Sequence, residues 1–368
     1  MRLVSYRVRV NGGPVAGAVL PQPLRKGYDD TNMGRPAARD AREKGMRVLV
    51  TGGAGFIGSH LCEALVAAGH KVFVLDDLST GRFENIEHLT DVTCIIDSTL
   101  SQGIVRDLVR DVDVVYHLAA TVGVHLVVNH PIRTIINNIE GTETILQETC
   151  RYRRRLLITS TSEVYGKGAR EVFHEDDDRV IGATHLHRWC YAASKAIDEF
   201  LALAYWREKR HPVVIARLFN TVGPRQTGRY GMVIPTFARQ ALLNEPLTVY
   251  GDGKQSRCFA YVGDVVPALI TLMDRTDIRG EVFNIGNNEP VTMEELARRV
   301  IARSGSQSTI RYVPYDQAYG PGYEDMRHRE PSLEKIREAI GYVPTTSLDT
   351  ILDVVIADTR KQLLGFGE

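Results

Sequence analysis

Residues 48–60, V-L-V-T-G-G-A-G-F-I-G-S-H, constrain this chain more than any other stretch. A valine-rich apolar run meets a glycine cluster, and Leu61, Leu65 and Val66 then continue at helical spacing. That order reads as strand, tight turn and helix. Gly52, Gly55 and Gly58 stand at G-x-x-G-x-x-G spacing. Glycine in such a turn permits positive φ, admits a pyrophosphate close to the backbone and lets the helix pack tightly on the strand. The first N–H groups of the helix have no intrahelical partner and offer an anion site. By itself a glycine turn says only that a strand passes sharply into a helix, so downstream residues must decide what it carries.

Those residues repeat the strand–helix alternation of an α/β protein, with a doubly wound parallel sheet of Rossmann type as the expected core. Residues 71–75 (K-V-F-V-L) read as the second strand and end on Asp76-Asp77. Asp76 follows Gly58 by 18 residues, close to the spacing at which a carboxylate accepts both hydroxyls of an adenosine ribose. A carboxylate there repels a 2′-phosphate, so the expected cofactor is NAD rather than NADP. A third strand at 92–96 closes on Asp97, placed to meet an adenine amino group. Residues 113–118 (D-V-V-Y-H-L) are nearly all apolar, as suits a parallel strand covered on both faces. The small Ala119 and Ala120 after it would let the chain pass close to a cofactor. Residues 135–146 have helical spacing, with Asn138 inside.

A further strand at 156–160 runs into Thr161-Ser162-Glu163, and polar residues at that end of a parallel strand face the crevice where such sheets bind ligands. About 30 residues on, Tyr191-Ala192-Ala193-Ser194-Lys195 lies in a helical stretch. The i, i+4 spacing puts Tyr191 and Lys195 on one helix face. An ammonium beside a phenol favours the phenolate, so the tyrosine pKa is expected to fall and the side chain to accept a proton from a sugar hydroxyl.

Composition narrows the remaining classes. The 368 residues carry no net formal charge, with 43% hydrophobic and 24% charged residues. No overall basic field draws the chain to nucleic acid or an anionic membrane, and the basic run at 151–155 reads as a solvated edge. No apolar run reaches the roughly 18–20 residues that span a bilayer. Five scattered cysteines with no C-x-x-C pair point away from a disulfide framework or zinc site and toward a reducing, cytoplasmic setting; no metal is expected. Residues 1–45, with several Arg, Gly and Pro, read as a flexible extension, and Met46 stands where a natural start would fit.

Taken in order, T-G-G-A-G-F-I-G, S-T-S-E-V-Y-G, Y-A-A-S-K and R-L-F-N-T-V-G-P-R resemble an extended short-chain dehydrogenase/reductase. More narrowly they resemble the nucleotide-sugar epimerase, dehydratase and decarboxylase family, over about residues 46–364. The resemblance implies that Gly52, Gly55, Phe56, Ile57, Gly58, Asp76, Asp97, Ala119 and Lys195 hold NAD. It implies Tyr191 as base, Lys195 on the nicotinamide ribose, and Thr161 bonded to the sugar O4. Ser162, Asn220, Tyr250, Arg257 and Arg329 would then hold a UDP-sugar, with Arg257 on a phosphate or the sugar carboxylate and Arg329 on the diphosphate. The family usually has Asp after the Glu-Pro that follows Arg329, where this chain has Ser332. Residues 46–220 would be mainly the cofactor domain. Residues 221–368, with amphipathic helices at 232–243 and 293–302, a short strand at 281–285 and a turn at 251–253, would be a smaller mixed α/β substrate lobe. Members usually dimerise through a four-helix bundle, so a homodimer is implied, built on the helices around Ile135 and Tyr191.

The shared first step gives a 4-keto sugar, and Glu163 then bears on the product. Thr161-Ser162-Glu163 with 173–177 (F-H-E-D-D) and 188–191 (R-W-C-Y) looks most like UDP-glucuronate decarboxylases. Residues 253–259 (G-K-Q-S-R-C-F) resemble the decarboxylase domain of a bacterial bifunctional enzyme. UDP-sugar 4-epimerisation is the first alternative. Nucleotide-sugar 4,6-dehydration and a non-catalytic NAD-binding scaffold follow.

Overall fold

The apolar runs assemble into one seven-stranded, all-parallel sheet in the computed structural model, which describes residues 45–168, 170–228, 231–319 and 326–365. The expected extension at 1–45 thus lies, but for Gly45, outside the described residues. The sheet strands are β1 (Arg47–Thr51), β2 (Lys71–Asp76), β3 (Val92–Ile96), β4 (Val114–His117), β5 (Arg155–Thr161), β6 (Val213–Leu218) and β7 (Glu281–Ile285). Their order is β3-β2-β1-β4-β5-β6-β7. The order reverses between β1 and β4, and at such a switch point a parallel sheet opens a crevice beyond its strand ends.

Alternation along the strands feeds two separate cores. Val48 and Val50 of β1 and Val72 and Val74 of β2 point to the face covered by helices Phe56–Ala67 and Val262–Asp274. Leu49, Leu75, Val115 and Ile158 point to the other face, under helices Gln102–Arg110, Pro131–Arg151 and Trp189–Lys209. Both faces are dry, which is why these strands lack a polar side.

A third core joins helices Val233–Leu242, Met293–Ser304 and Leu348–Gly365 around Phe237, Leu296 and Ile351. Thr292 caps the second of these by accepting a hydrogen bond from the Glu295 amide at 3.2 Å, and Gly305 ends it in the left-handed region at φ +69°. Between the main sheet and this core, a two-residue parallel bridge pairs Glu330–Pro331 with Val172–Phe173. That bridge brings Arg329 back over the end of β5.

The basic run at 151–155 is not a uniformly solvated edge. Arg155 is half-buried, and its guanidinium donates to the carbonyls of Leu272 (3.0 Å), Ile278 (3.1 Å), Met273 and Arg275. It closes the C-terminal end of helix Val262–Asp274, where carbonyls lack intrahelical partners. Cys62, Cys94, Cys150, Cys190 and Cys258 are all free thiols.

Candidate active site

Every residue expected from the sequence to touch cofactor or sugar lines a single cavity of about 590 Å³ above the strand ends. Gly52, Gly55, Phe56, Ile57, Gly58, Asp76, Asp97 and Ala119 sit at one end of it, and Tyr250 and Arg257 line it too. Between them lie Thr161, Ser162, Glu163, Tyr191, Lys195, Asn220 and Arg329. Arg188, which the sequence reading did not select, joins the middle group.

The glycine turn fits a dinucleotide phosphate on its own geometry. Gly52 has φ +72°, and a Cβ there would meet the Ala119 amide nitrogen at 2.8 Å. At Gly58 a Cβ would lie 2.1 Å from the Gly52 carbonyl oxygen, so glycine is required for the helix to approach the strand. Gly55 differs. Its φ of −74° suits any residue, and a Cβ would meet only the Gly52 oxygen at 3.1 Å, leaving the space in front of it open. Asp76 accepts from the amides of Ala54 (3.0 Å) and Leu78 (2.9 Å), and burial raises its carboxyl despite those bonds. It therefore also braces the turn, while each oxygen keeps lone-pair capacity toward a ribose. Asp97 accepts from Ser98 N (2.7 Å) and Ser101 Oγ (2.6 Å) at the entry to its helix.

Tyr191 sits in the first turn of helix Trp189–Lys209. The side chain of Asn138, buried in the facing helix, accepts from Thr121 N at 2.8 Å and donates to Ser194 Oγ at 3.1 Å. Ser194 Oγ in turn donates to the Tyr191 carbonyl at 2.9 Å, so Asn138 helps fix that first turn. The expected fall in the tyrosine pKa is corrected by the structure. Burial pushes the Tyr191 phenol up and the Glu163 charge adds to it; a hydrogen bond with Thr161 and the Arg329 charge pull the other way without winning. Lys195 meanwhile donates to Asp198 at 2.7 Å, so much of its charge is balanced locally.

Glu163 lies between two arginines. Arg188 Nη2 donates to its Oε2 at 2.9 Å, and Arg329 Nη1 donates to Oε1. Arg329 Nη2 also donates to Asn220 Oδ1 at 2.8 Å, and Asn220 Nδ2 donates to the Cys258 carbonyl at 2.9 Å. Asn220 holds φ +31°, a strained setting for a non-glycine residue, and its amide bridges Arg329 and the Cys258 carbonyl. Ser332, in the position where the family usually has Asp, accepts from Glu334 N at 3.4 Å just ahead of helix Glu334–Ile340. Burial alone would raise the Glu163 carboxyl, but the charges and hydrogen bonds of Arg329 and Arg188 hold it down to about 2.

A depressed carboxyl contributes stability that is full above its unfolded value, near 4.5, and is lost as pH falls toward 2. Wild-type protein should therefore lose about 2 kcal/mol more than Glu163→Gln between pH 7 and pH 3. Urea unfolding at both pH values measures this; parallel losses in the two proteins would contradict the ion-pair account.

Comparison with known proteins agrees with this geometry. The sequence pattern described as "NAD dependent epimerase/dehydratase family" matches residues 48–286. The chain belongs to that family. Its cofactor is NAD and it is an enzyme of the extended short-chain dehydrogenase/reductase type. It is 43% identical over 317 residues to the UDP-N-acetyl-α-D-glucosaminuronate decarboxylase of Bacillus cytotoxicus, covering 86% of this chain and 98% of that one. It is 38% identical to UDP-glucuronic acid decarboxylase 2 of Arabidopsis thaliana, over 88% of this chain and 70% of that one. Among solved structures it is similar to the UDP-glucuronic acid 4-epimerase of Bacillus cereus in complex with UDP-glucuronic acid and NAD. That match has a TM-score of 0.77 and 30% identity, and covers 86% of this chain and 100% of that one. Among the described residues no cluster of His, Cys, Asp and Glu could hold a metal ion, and no helix is long and apolar enough to cross a membrane.

Proposed function

We propose that this enzyme decarboxylates a UDP-hexuronate, UDP-glucuronate or its 2-acetamido analogue, through a 4-keto intermediate. The observation that carries the reading is the convergence of Arg188 and Arg329 on one carboxylate beside Tyr191 and Thr161. A guanidinium fork pairs with a carboxylate through two parallel N–H donors, so a site that gathers Arg188 and Arg329 beside the reacting tyrosine suits a substrate that itself carries a carboxylate. NAD, when bound, accepts the C4 hydride and can return it. Tyr191 takes the C4 hydroxyl proton and Thr161 steadies the same oxygen. Oxidation leaves the C6 carboxylate β to a ketone, so carbon dioxide departs and the electron pair moves onto O4, where hydroxyl donors stabilise it. Glu163, held as a carboxylate far below neutral pH, is a poor acid for expelling water, which weighs against 4,6-dehydration.

Lys195 and the glycine turn serve NAD in this reading, with Asp76 on the ribose and Asp97 toward the adenine. Ser162, Asn220, Tyr250 and Arg257 serve the sugar nucleotide. Residues 46–220 mainly carry the cofactor and 221–368 mainly the substrate. The exposed Ile132 (73%), Ile135, Ile136 and Phe200 (65%) on the two long helices support a homodimer built on that face. Free cysteines support a cytoplasmic setting.

Purified protein, NAD and a panel of UDP-glucuronate, UDP-N-acetylglucosaminuronate and UDP-glucose, read by mass spectrometry, test the proposal. Loss of carbon dioxide from a hexuronate and no reaction of UDP-glucose is the expected result. Unchanged mass with altered retention would instead make the enzyme a 4-epimerase, and loss of water a dehydratase.

A further inference from the structure

Helix Trp189–Lys209 carries a carboxylate next to the site that the reaction above does not use. Asp198 stands one turn beyond Lys195 and accepts from its Nζ at 2.7 Å, with both side chains almost wholly buried. Its carboxylate is also buried against Thr142 of the facing helix, whose hydroxyl favours the charged form, while burial raises the carboxyl overall. Thr142 Oγ1 is 3.1 Å from His117 Nε2, and His117 Nδ1 is 2.7 Å from Thr51 Oγ1, which accepts from the Ala119 amide at 3.3 Å. A buried polar column thus runs from the ion pair to the ends of β1 and β4, under the cofactor end of the cavity.

A buried ion pair seldom repays the desolvation of its two charges. Fold stability is therefore a weak reason for this carboxylate. We propose that Asp198 is a positioning residue for Lys195: it pins the ammonium and offsets its field at Tyr191, thereby setting the pH at which the tyrosine gives up its proton. The proposal rests on Tyr191 and Lys195 working as a pair, and not on which product forms.

The charges around Tyr191 come from every side. Glu163 stands on the turn after β5, Arg329 on the returning bridge, Arg188 beside Glu163, and Lys195 and Asp198 on the tyrosine's own helix. His117 of β4 lies beyond Lys195; burial first, and the lysine's charge second, push it down to about 3, so it adds no charge. The Asp198 charge itself acts to raise the tyrosine. Removing it leaves the ammonium uncompensated, which favours the phenolate.

Asp198→Asn keeps the size and an acceptor for Lys195 Nζ while deleting the charge. On NAD-loaded protein the ultraviolet phenolate band, taken as the difference from the same protein carrying Tyr191→Phe, should emerge about one pH unit lower than in wild type. The acid limb of kcat should move in the same direction, with KM for the nucleotide sugar little changed. A limb and band that stay in place, or move upward, overturn the proposal. Asp198→Glu keeps the charge but displaces it, and should lower kcat several-fold with the limb unmoved. If Asp198→Asn does not fold, Asp198→Glu still decides, because a limb shifted downward in it would be equally fatal. The titration needs no substrate, so it stands even if the panel of UDP-sugars shows a different product.

Discussion

Tyr191→Phe is expected to lower kcat about 10³-fold while NAD binds as before. The substitution removes one oxygen and leaves the ring in place at the start of its helix. Because Thr161 is the hydroxyl bonded to that oxygen, the cavity loses one hydrogen bond and no packing. Stability should change by less than about 1.5 kcal/mol, the net worth of one such bond. Steady-state turnover of a UDP-hexuronate, with NAD affinity from calorimetry, separates loss of chemistry from loss of cofactor. Retained turnover would move the base elsewhere. Glu163 is the neighbouring candidate, yet a carboxyl held down to about 2 by two arginines has little affinity for a proton at neutral pH. The high phenol and the low carboxyl fit a tyrosine that is protonated until substrate and cofactor arrive and a glutamate that remains an anion.

How much of this was legible follows from the range of each interaction. The glycine turn, the strand ending on Asp76 and the i, i+4 pair of Tyr191 and Lys195 are local patterns, readable because backbone geometry converts spacing directly into position. The helix expected at 135–146 runs from Pro131 to Arg151, since the proline starts it and positions outside the apolar stripe are carried by the same backbone bonds. Arg188 was not legible as a partner of Glu163. Its guanidinium crosses from one loop to another 25 residues away, and an arginine ahead of a helix has no periodic signature. The pKa of Tyr191 was misread for the same reason. Lys195 is visible four residues on, but burial and the charges of Glu163 and Asp198 arise only when the chain folds. Arg155 likewise reads as a surface cation until the end of a distant helix comes to rest on it.

The largest effect on stability should come from a residue that touches no ligand. Glu199, fully buried, accepts from Ser160 Oγ (2.5 Å) and Arg217 Nε (3.0 Å) with one oxygen. Its other oxygen accepts from Arg217 Nη2 (2.9 Å) and Arg179 Nη2 (2.6 Å). Arg217 is itself 1% exposed, and its Nη1 donates to Tyr165 Oη (2.7 Å) and the Glu175 carbonyl (2.9 Å). Tyr165 Oη donates in turn to Asn284 Oδ1 at 2.7 Å. This network ties β5, β6 and β7 together one residue behind Thr161. Glu199→Ala strands the Arg217 charge in a place water does not reach, and should cost about 3–5 kcal/mol, a large share of the ~5–15 kcal/mol that holds a domain folded. Removing both partners in Glu199→Met/Arg217→Met leaves only the Arg179 charge, which is partly exposed, so it should cost less than Glu199→Met and Arg217→Met added together. Urea midpoints of the four proteins form the cycle. If the double change were simply additive, the pair would not be coupled and the account of β5 held from behind would be wrong. If Glu199→Ala folds at all, its kcat should also fall, because Ser160 no longer fixes the strand end that presents Thr161 to the sugar.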